Sequence, residues 1–242
     1  MIQFISIWKY GTVMQQLYIW DFPTRLFHWL LVIAISSQYI TAELLDDAIQ
    51  WHFYGGYFIL GLLIFRVLWG FWGSYYAKFS QFIVSPQRAW LYSSTFTKSN
   101  DKPSLGHNPL GAYSIIFILT VLLTQAISGL FMTDDIFHSG PYYNAVAEKT
   151  QNVMNWLHHQ GFNAIWFFLA LHIAAMLVYK FAKKQNLVLS MITGYKQQKN
   201  QVNAPAVQNH WLKFAFFASL SAIIVYLIVV TFAPEIVDEF YY

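Results

Sequence analysis

Eight histidines stand in a chain of 242 residues that has no cysteine. Four of them, His28, His52, His158 and His172, lie in or at the edge of long apolar stretches. Ionisable groups at membrane depth are costly and usually functional. The spacing of the last two is the most informative. Fourteen residues separate them, about 21 Å of helix axis at ~1.5 Å per residue. Fourteen steps of roughly 100° end about 40° short of four turns, so both rings leave one helix face. One shared ion is excluded at that separation, because metal–imidazole bonds are only about 2 Å long. Two cofactors at two depths fit. Without cysteine there are no disulfides, iron–sulfur clusters, thiolate zinc sites or covalently attached c-type haem. Haem b, apolar and held by two axial imidazoles, needs none of these. His52 starts its stretch at the end where His158 precedes its own, and His28 lies at the end that His172 approaches. The expected pairs are His52 with His158 and His28 with His172, giving two bis-histidine haems b.

A single membrane histidine often does no more than hydrogen-bond between helices. Four matched in depth across three helices argue for ligands. His159 stands thirteen residues before His172, points to nearly the opposite face and reads as interfacial. Arg66 follows His52 by fourteen residues. On that face it could pair a haem propionate through a charge-assisted hydrogen bond, or it could simply mark a helix end. Arg25, one turn before His28, allows the same two readings. Gly55, Gly56 and Gly161 follow the ligand candidates by three or four residues; they would let a flat macrocycle near the backbone, or serve plain helix packing. His138 and His210 read as loop or span-edge residues.

The elements that must hold these side chains are membrane helices. The chain is 57% hydrophobic, 20% aromatic and 10% charged, against roughly 25% charged in soluble domains. This excludes a soluble enzyme, a disordered chain and a nucleic-acid binder. Crossing ~30 Å of hydrocarbon takes about 20 apolar residues, and five stretches qualify: Leu26–Ala42, His52–Phe71, Leu110–Met132, Phe162–Phe181 and Phe214–Ala233. The expected fold is an all-α integral membrane protein. No cleaved signal is expected in the first 25 residues, and Met14 reads as an alternative start to Met1. Of the fourteen lysines and arginines, all but Lys149 fall on one side of those spans. Glu43, Asp46, Asp47, Asp134, Asp135, Glu148, Glu235, Asp238 and Glu239 fall on the other. The positive-inside rule then expects a cytoplasmic N-terminus and an outward, periplasmic C-terminus.

Several motifs carry a resemblance. W-D-F-P-T-R-L-F-H-W (Trp20–Trp29), W-H-F-Y-G-G-Y (Trp51–Tyr57), F-R-V-L-W-G-F (Phe65–Phe71) and G-H-N-P-L-G (Gly106–Gly111) are four of them. Others are the stretch from His158 through Asn163 to L-H-I-A-A (Leu171–Ala175) and T-G-Y-K (Thr193–Lys196). As a set they resemble the bacterial cytochrome b561 and nickel–iron hydrogenase b-type cytochrome family. The resemblance implies a four-helix bundle binding two haems b, with His28, His52, His158 and His172 at the ligand positions. The acidic residue that often follows the first helix-four histidine is His159 here. The expected organisation is a cytoplasmic segment 1–20, a dihaem four-helix domain 21–196, and a region 197–242 with a linker, a fifth transmembrane helix and an acidic periplasmic tail. His107 reads either as a propionate or quinone contact or as part of a helix-start turn with Asn108 as cap and Pro109 in the first position.

The expected function is electron transfer across the bacterial inner membrane, between the quinone pool and a periplasmic c-type cytochrome or a hydrogenase-like complex, in a respiratory chain. The outer loop 133–155 and the acidic C-terminus would form the docking surface. Two other readings compete. A superoxide:quinone oxidoreductase would want a positive outer funnel for its anion, which the outer acids oppose. A haem-free anchor or transporter would lack haem absorption.

Overall fold

The computed structural model describes residues 14–95, 104–134, 136–199 and 203–234. Lys9, Lys98, Lys102, Asp135, the acids of the C-terminal tail and most of the expected 1–20 segment lie outside them. As expected for a membrane chain, the fold is helical, with one small two-stranded antiparallel ribbon among the described residues. In chain order it runs β1 (Met14–Tyr18), α1 (Phe22–Tyr39), α2 (Ile49–Trp72), α3 (Phe79–Phe82), α4 (Pro86–Thr95), α5 (Pro109–Gly129), α6 (Glu148–Phe181), α7 (Leu187–Thr193), β2 (Tyr195–Lys199) and α8 (Trp211–Tyr226). π-helical turns prolong α1 over Ile40–Leu44 and α8 over Leu227–Thr231. Among the described residues, α2, α5, α6 and α8 with its π turn are long and apolar enough to cross a membrane. α1 is not among these four: Arg25, His28, Ser36, Ser37 and Gln38 interrupt its 18 residues.

Two compact units make up the chain. The first comprises residues 1–28, 66–117 and 170–215. Its framework is polar and tightly tied. β1 and β2 pair antiparallel, from Met14 opposite Lys199 to Tyr18 opposite Tyr195. Gly194, at φ 86°, ends α7, and its carbonyl accepts from Ile19 N and Trp20 N at 2.9 and 3.1 Å. Asp21 caps α1 by accepting from Thr24 N at 3.1 Å, and its other oxygen accepts from Trp69 Nε1 at 2.9 Å. Asn108 caps α5 by accepting from Gly111 N at 2.8 Å, as the motif suggests, and its amide donates to Tyr179 Oη at 2.6 Å.

The second unit comprises residues 29–65, 118–169 and 216–242. Tyr39 meets Trp166 edge-on at 5.1 Å, joining α1 to α6. Tyr142 Oη donates to the Ile228 carbonyl at 2.8 Å, reaching the π turn after α8. The loop after α5 is held by Asp134, whose Oδ1 accepts from the backbone N–H groups of Ile136, Phe137 and His138. Charge divides between the units. Among the described residues every Lys and Arg except Lys149 belongs to the first, and every Asp and Glu except Asp21 to the second.

Candidate functional site

In the second unit, His52 lies in the first turn of α2 and His158 in the third turn of α6. α6 begins ten residues before His158 and runs unbroken past His172, which is the condition the fourteen-residue spacing required. The two rings stand with centroids 6.2 Å apart at 75°. His52 Nδ1 lies 3.2 Å from the Gln38 carbonyl, and His158 Nδ1 lies 3.1 Å from the Gln125 carbonyl. A carbonyl can only accept, so each Nδ1 carries the proton and each Nε2 keeps its lone pair. Ser128 Oγ, itself bound to the Gln125 carbonyl, stands 3.2 Å from the same His158 nitrogen. Such an arrangement fixes tautomer and ring plane and leaves Nε2 available as a ligand.

Beside each histidine a glutamine carboxamide fills the space over a glycine. A Cβ on Gly55 would coincide with the Gln38 carboxamide, and one on Gly161 with that of Gln125. Gln38 Nε2 and Gln125 Oε1 are enclosed without hydrogen-bond partners. One metal atom held by both rings would need about 2 Å to each nitrogen and about 1 Å more to each ring centre, a centroid separation of about 6 Å. The observed separation fits that. Among the described residues no cluster of three or more His, Asp or Glu could hold a metal ion, so a two-histidine haem matches the donor set better than a bare ion. His159 is exposed while His158 is half-buried.

In the first unit, His28 on α1 and His172 on α6 are both half-buried and lie within electrostatic range of each other. Arg66 is buried, donates to the Ala77 carbonyl at 3.3 Å and stands over the Phe79 ring at 5.0 Å. Arg25 holds the carbonyls of Trp20 at 3.2 Å and Ile192 at 2.6 Å. Both arginines thus have backbone partners. Each guanidinium has five N–H donors, so neither is used up. His107 is wedged between the rings of Trp20 and Phe82, each 4.6 Å away. Burial, then the nearby Arg66 and Lys196 charges, lower its pKa to about 3, so it stays neutral. Its Nδ1 is enclosed and unpartnered. Burial lowers Lys196 to about 8, and its Nζ donates to the Ser104 carbonyl. Gln38, Gln125 and Ser128 escaped the sequence reading. Their one signal is that they are polar residues inside apolar helices.

A family model described as prokaryotic cytochrome b561 matches residues 19–194. The chain belongs to the prokaryotic cytochrome b561 family. Three curated relatives bear the name probable Ni/Fe-hydrogenase B-type cytochrome subunit. That of Rhizobium leguminosarum bv. viciae is 25% identical, over 77% of this chain and 91% of its own length. That of Azotobacter vinelandii is 22% identical over 76% and 89%, and that of Cupriavidus necator 24% identical over 78% and 91%. No solved structure matches. As a b-type cytochrome of the b561 family, the chain is a multi-pass membrane electron-transfer protein with haem b as its cofactor. The match begins at Ile19 and ends at Gly194. The b561 segment therefore includes both histidine pairs but not α8.

Proposed function

We propose that this b561-family chain is a dihaem cytochrome that carries electrons across the bacterial inner membrane, between the quinone pool and a periplasmic redox partner. One observation carries the haem-binding reading: the rings of His52 and His158, 6.2 Å apart with both Nδ1 atoms tied to backbone carbonyls. His28 and His172 would hold the second haem. When bound, haem b supplies one-electron redox chemistry at the iron. The chain's own residues do the rest. The Gln38 and Gln125 carbonyls orient the ligand rings, and Tyr39, Phe162 and Trp166 pack as an aromatic cluster within the same unit. Arg25, Arg66 and His107 would meet the carboxylates of the first-unit haem or a quinone.

Topology follows from charge. The lysines and arginines other than Lys149 would face the cytoplasm and Glu43, Asp46, Asp47, Asp134 and Glu148 the periplasm, with α1 as a further span. α8 is then a fifth span outside the haem-binding bundle. The relatives' names favour a hydrogenase-type complex as partner, with a c-type cytochrome as the other candidate, docking at residues 133–155, where the expected loop ends in the first two turns of α6, and at the acidic tail. The organisation 1–20, 21–196 and 197–242 is part of this proposal. A pyridine haemochrome assay on the purified protein tests it. Two haems b per chain are expected; one or none in fully loaded protein would overturn the dihaem assignment.

A further inference from the structure

The second unit is short of cations. Its described acids are Glu43, Asp46, Asp47, Asp134 and Glu148, and its one described cation is Lys149, at the start of α6. A haem b carries two propionate carboxylates. In the first unit Arg25 and Arg66 are available to meet such groups, but among the described residues of the second unit no arginine is. Besides Lys149, the groups of this unit that could take that role for a haem held by His52 and His158 are, among the described residues, neutral donors.

Within this unit the enclosed side-chain polar atoms that lack a partner are Gln38 Nε2 and Gln125 Oε1. A buried amide left unpaired costs stability, so both call for a partner. The two glutamines hold matching positions. Each uses its backbone carbonyl to fix the Nδ1 of one ligand histidine, at 3.2 Å for Gln38 and 3.1 Å for Gln125. Each lays its carboxamide over the glycine three residues beyond that histidine, Gly55 or Gly161. The pattern occurs twice on different helices, so accidental packing is a poor explanation. Gln38 differs from Gln125 in offering its donor rather than its acceptor.

We propose that Gln38 is the neutral propionate anchor of the haem held by His52 and His158, donating from Nε2 to a carboxylate oxygen, whereas Gln125 presents an acceptor and takes no carboxylate. The inference rests on the dihaem reading above. Gln38 acts on the iron only through the propionate and through its carbonyl contact with His52, so it is a positioning residue.

The test uses the full chain with Gln38→Leu and Gln38→Glu, read by haem content, by redox titration of both haems and by the propionate bending bands in resonance Raman spectra. Leucine keeps the backbone carbonyl and removes the donor. The expected result is two haems, a lowered potential for one of them, an unchanged potential for the other, and a shifted bending band. Gln38→Glu should lower the same potential further, since it replaces a donor by a negative charge beside a carboxylate. Two haems with wild-type potentials and bands in Gln38→Leu would overturn the proposal. If Gln38→Leu fails to retain a haem, the isosteric Gln38→Glu decides: a lowered potential supports the anchor and an unchanged one overturns it. Wild-type protein with fewer than two haems would instead overturn the dihaem reading itself.

Discussion

The carboxylate of Asp21 holds two elements at once: Oδ1 accepts from Thr24 N at 3.1 Å, and Oδ2 accepts from Trp69 Nε1 at 2.9 Å. Both side chains are buried, with Trp69 at 0% exposure. One acid therefore caps α1 and joins it to α2 beside Arg66. Trp69→Phe keeps most of the ring but strands a buried carboxylate oxygen, which should cost about 1–3 kcal/mol. Thermal unfolding in detergent would show this as a lowered midpoint, and an unchanged midpoint would mean that the bond contributes nothing net.

The ligand pairs give a second expectation. His172→Ala should lose one haem and keep the one held by His52 and His158, while His52→Ala should do the reverse. His159→Ala should keep both, because its exposed ring lies off the face shared by His158 and His172. Haemochrome counts on the three variants decide it. Loss of a haem in His159→Ala with retention in His158→Ala would reassign the ligand.

Redox titration should resolve two steps rather than one. Charge tunes haem potential. On the proposed dihaem reading, the acids of the second unit should lower the potential of the haem at His52 and His158, and the bases of the first should raise that of the haem at His28 and His172. A single potential for both haems would contradict this.

Acid should destabilise the first unit. His107 has its pKa lowered from 6.5 to about 3 by burial and by Arg66 and Lys196. Between those values the unfolded chain binds the proton and the folded chain does not, so stability falls as pH drops from 6.5 toward 3. The same sign applies to Lys196, lowered from 10.5 to about 8 by burial: stability rises as pH increases from 8 to 10.5. His107→Phe should flatten the acid limb of a midpoint-against-pH curve, and Lys196→Met the alkaline one. Limbs identical to wild type would show that neither group controls them.

Gly194 is a point of strain for any other residue. Its φ is 86°, and a Cβ there would press on the Tyr18 ring and the Trp20 carbonyl. Gly194→Ala should cost about 1–2 kcal/mol for the left-handed conformation alone, and more for the collision. The unfolding midpoint measures it; a loss well under 1 kcal/mol would mean that the α7–β2 junction relaxes freely.

Membrane helices were legible in the sequence because apolar runs and a shortage of charge are properties of composition. The spacing of His158 and His172 was legible because helical period is arithmetic along one chain, and α6 is unbroken between them. The Asn108 cap was readable for the same reason, since its partner is three residues away. Charge segregation needed only the order of spans.

What tertiary structure alone decided lies between distant positions. Gln38 reaches His52 across fourteen residues, Gln125 reaches His158 across thirty-three, and Asp21 reaches Trp69 across forty-eight. No periodicity links such residues, because the helices that bear them meet only after packing. Arg66 shows the same division: its fourteen-residue spacing from His52 is arithmetic along the chain, but its bond to the Ala77 carbonyl depends on how the chain turns after α2. Composition and helical period act along the chain, so one sequence reveals them, whereas the hydrogen bonds that orient a ligand ring run across the chain and exist only in the fold.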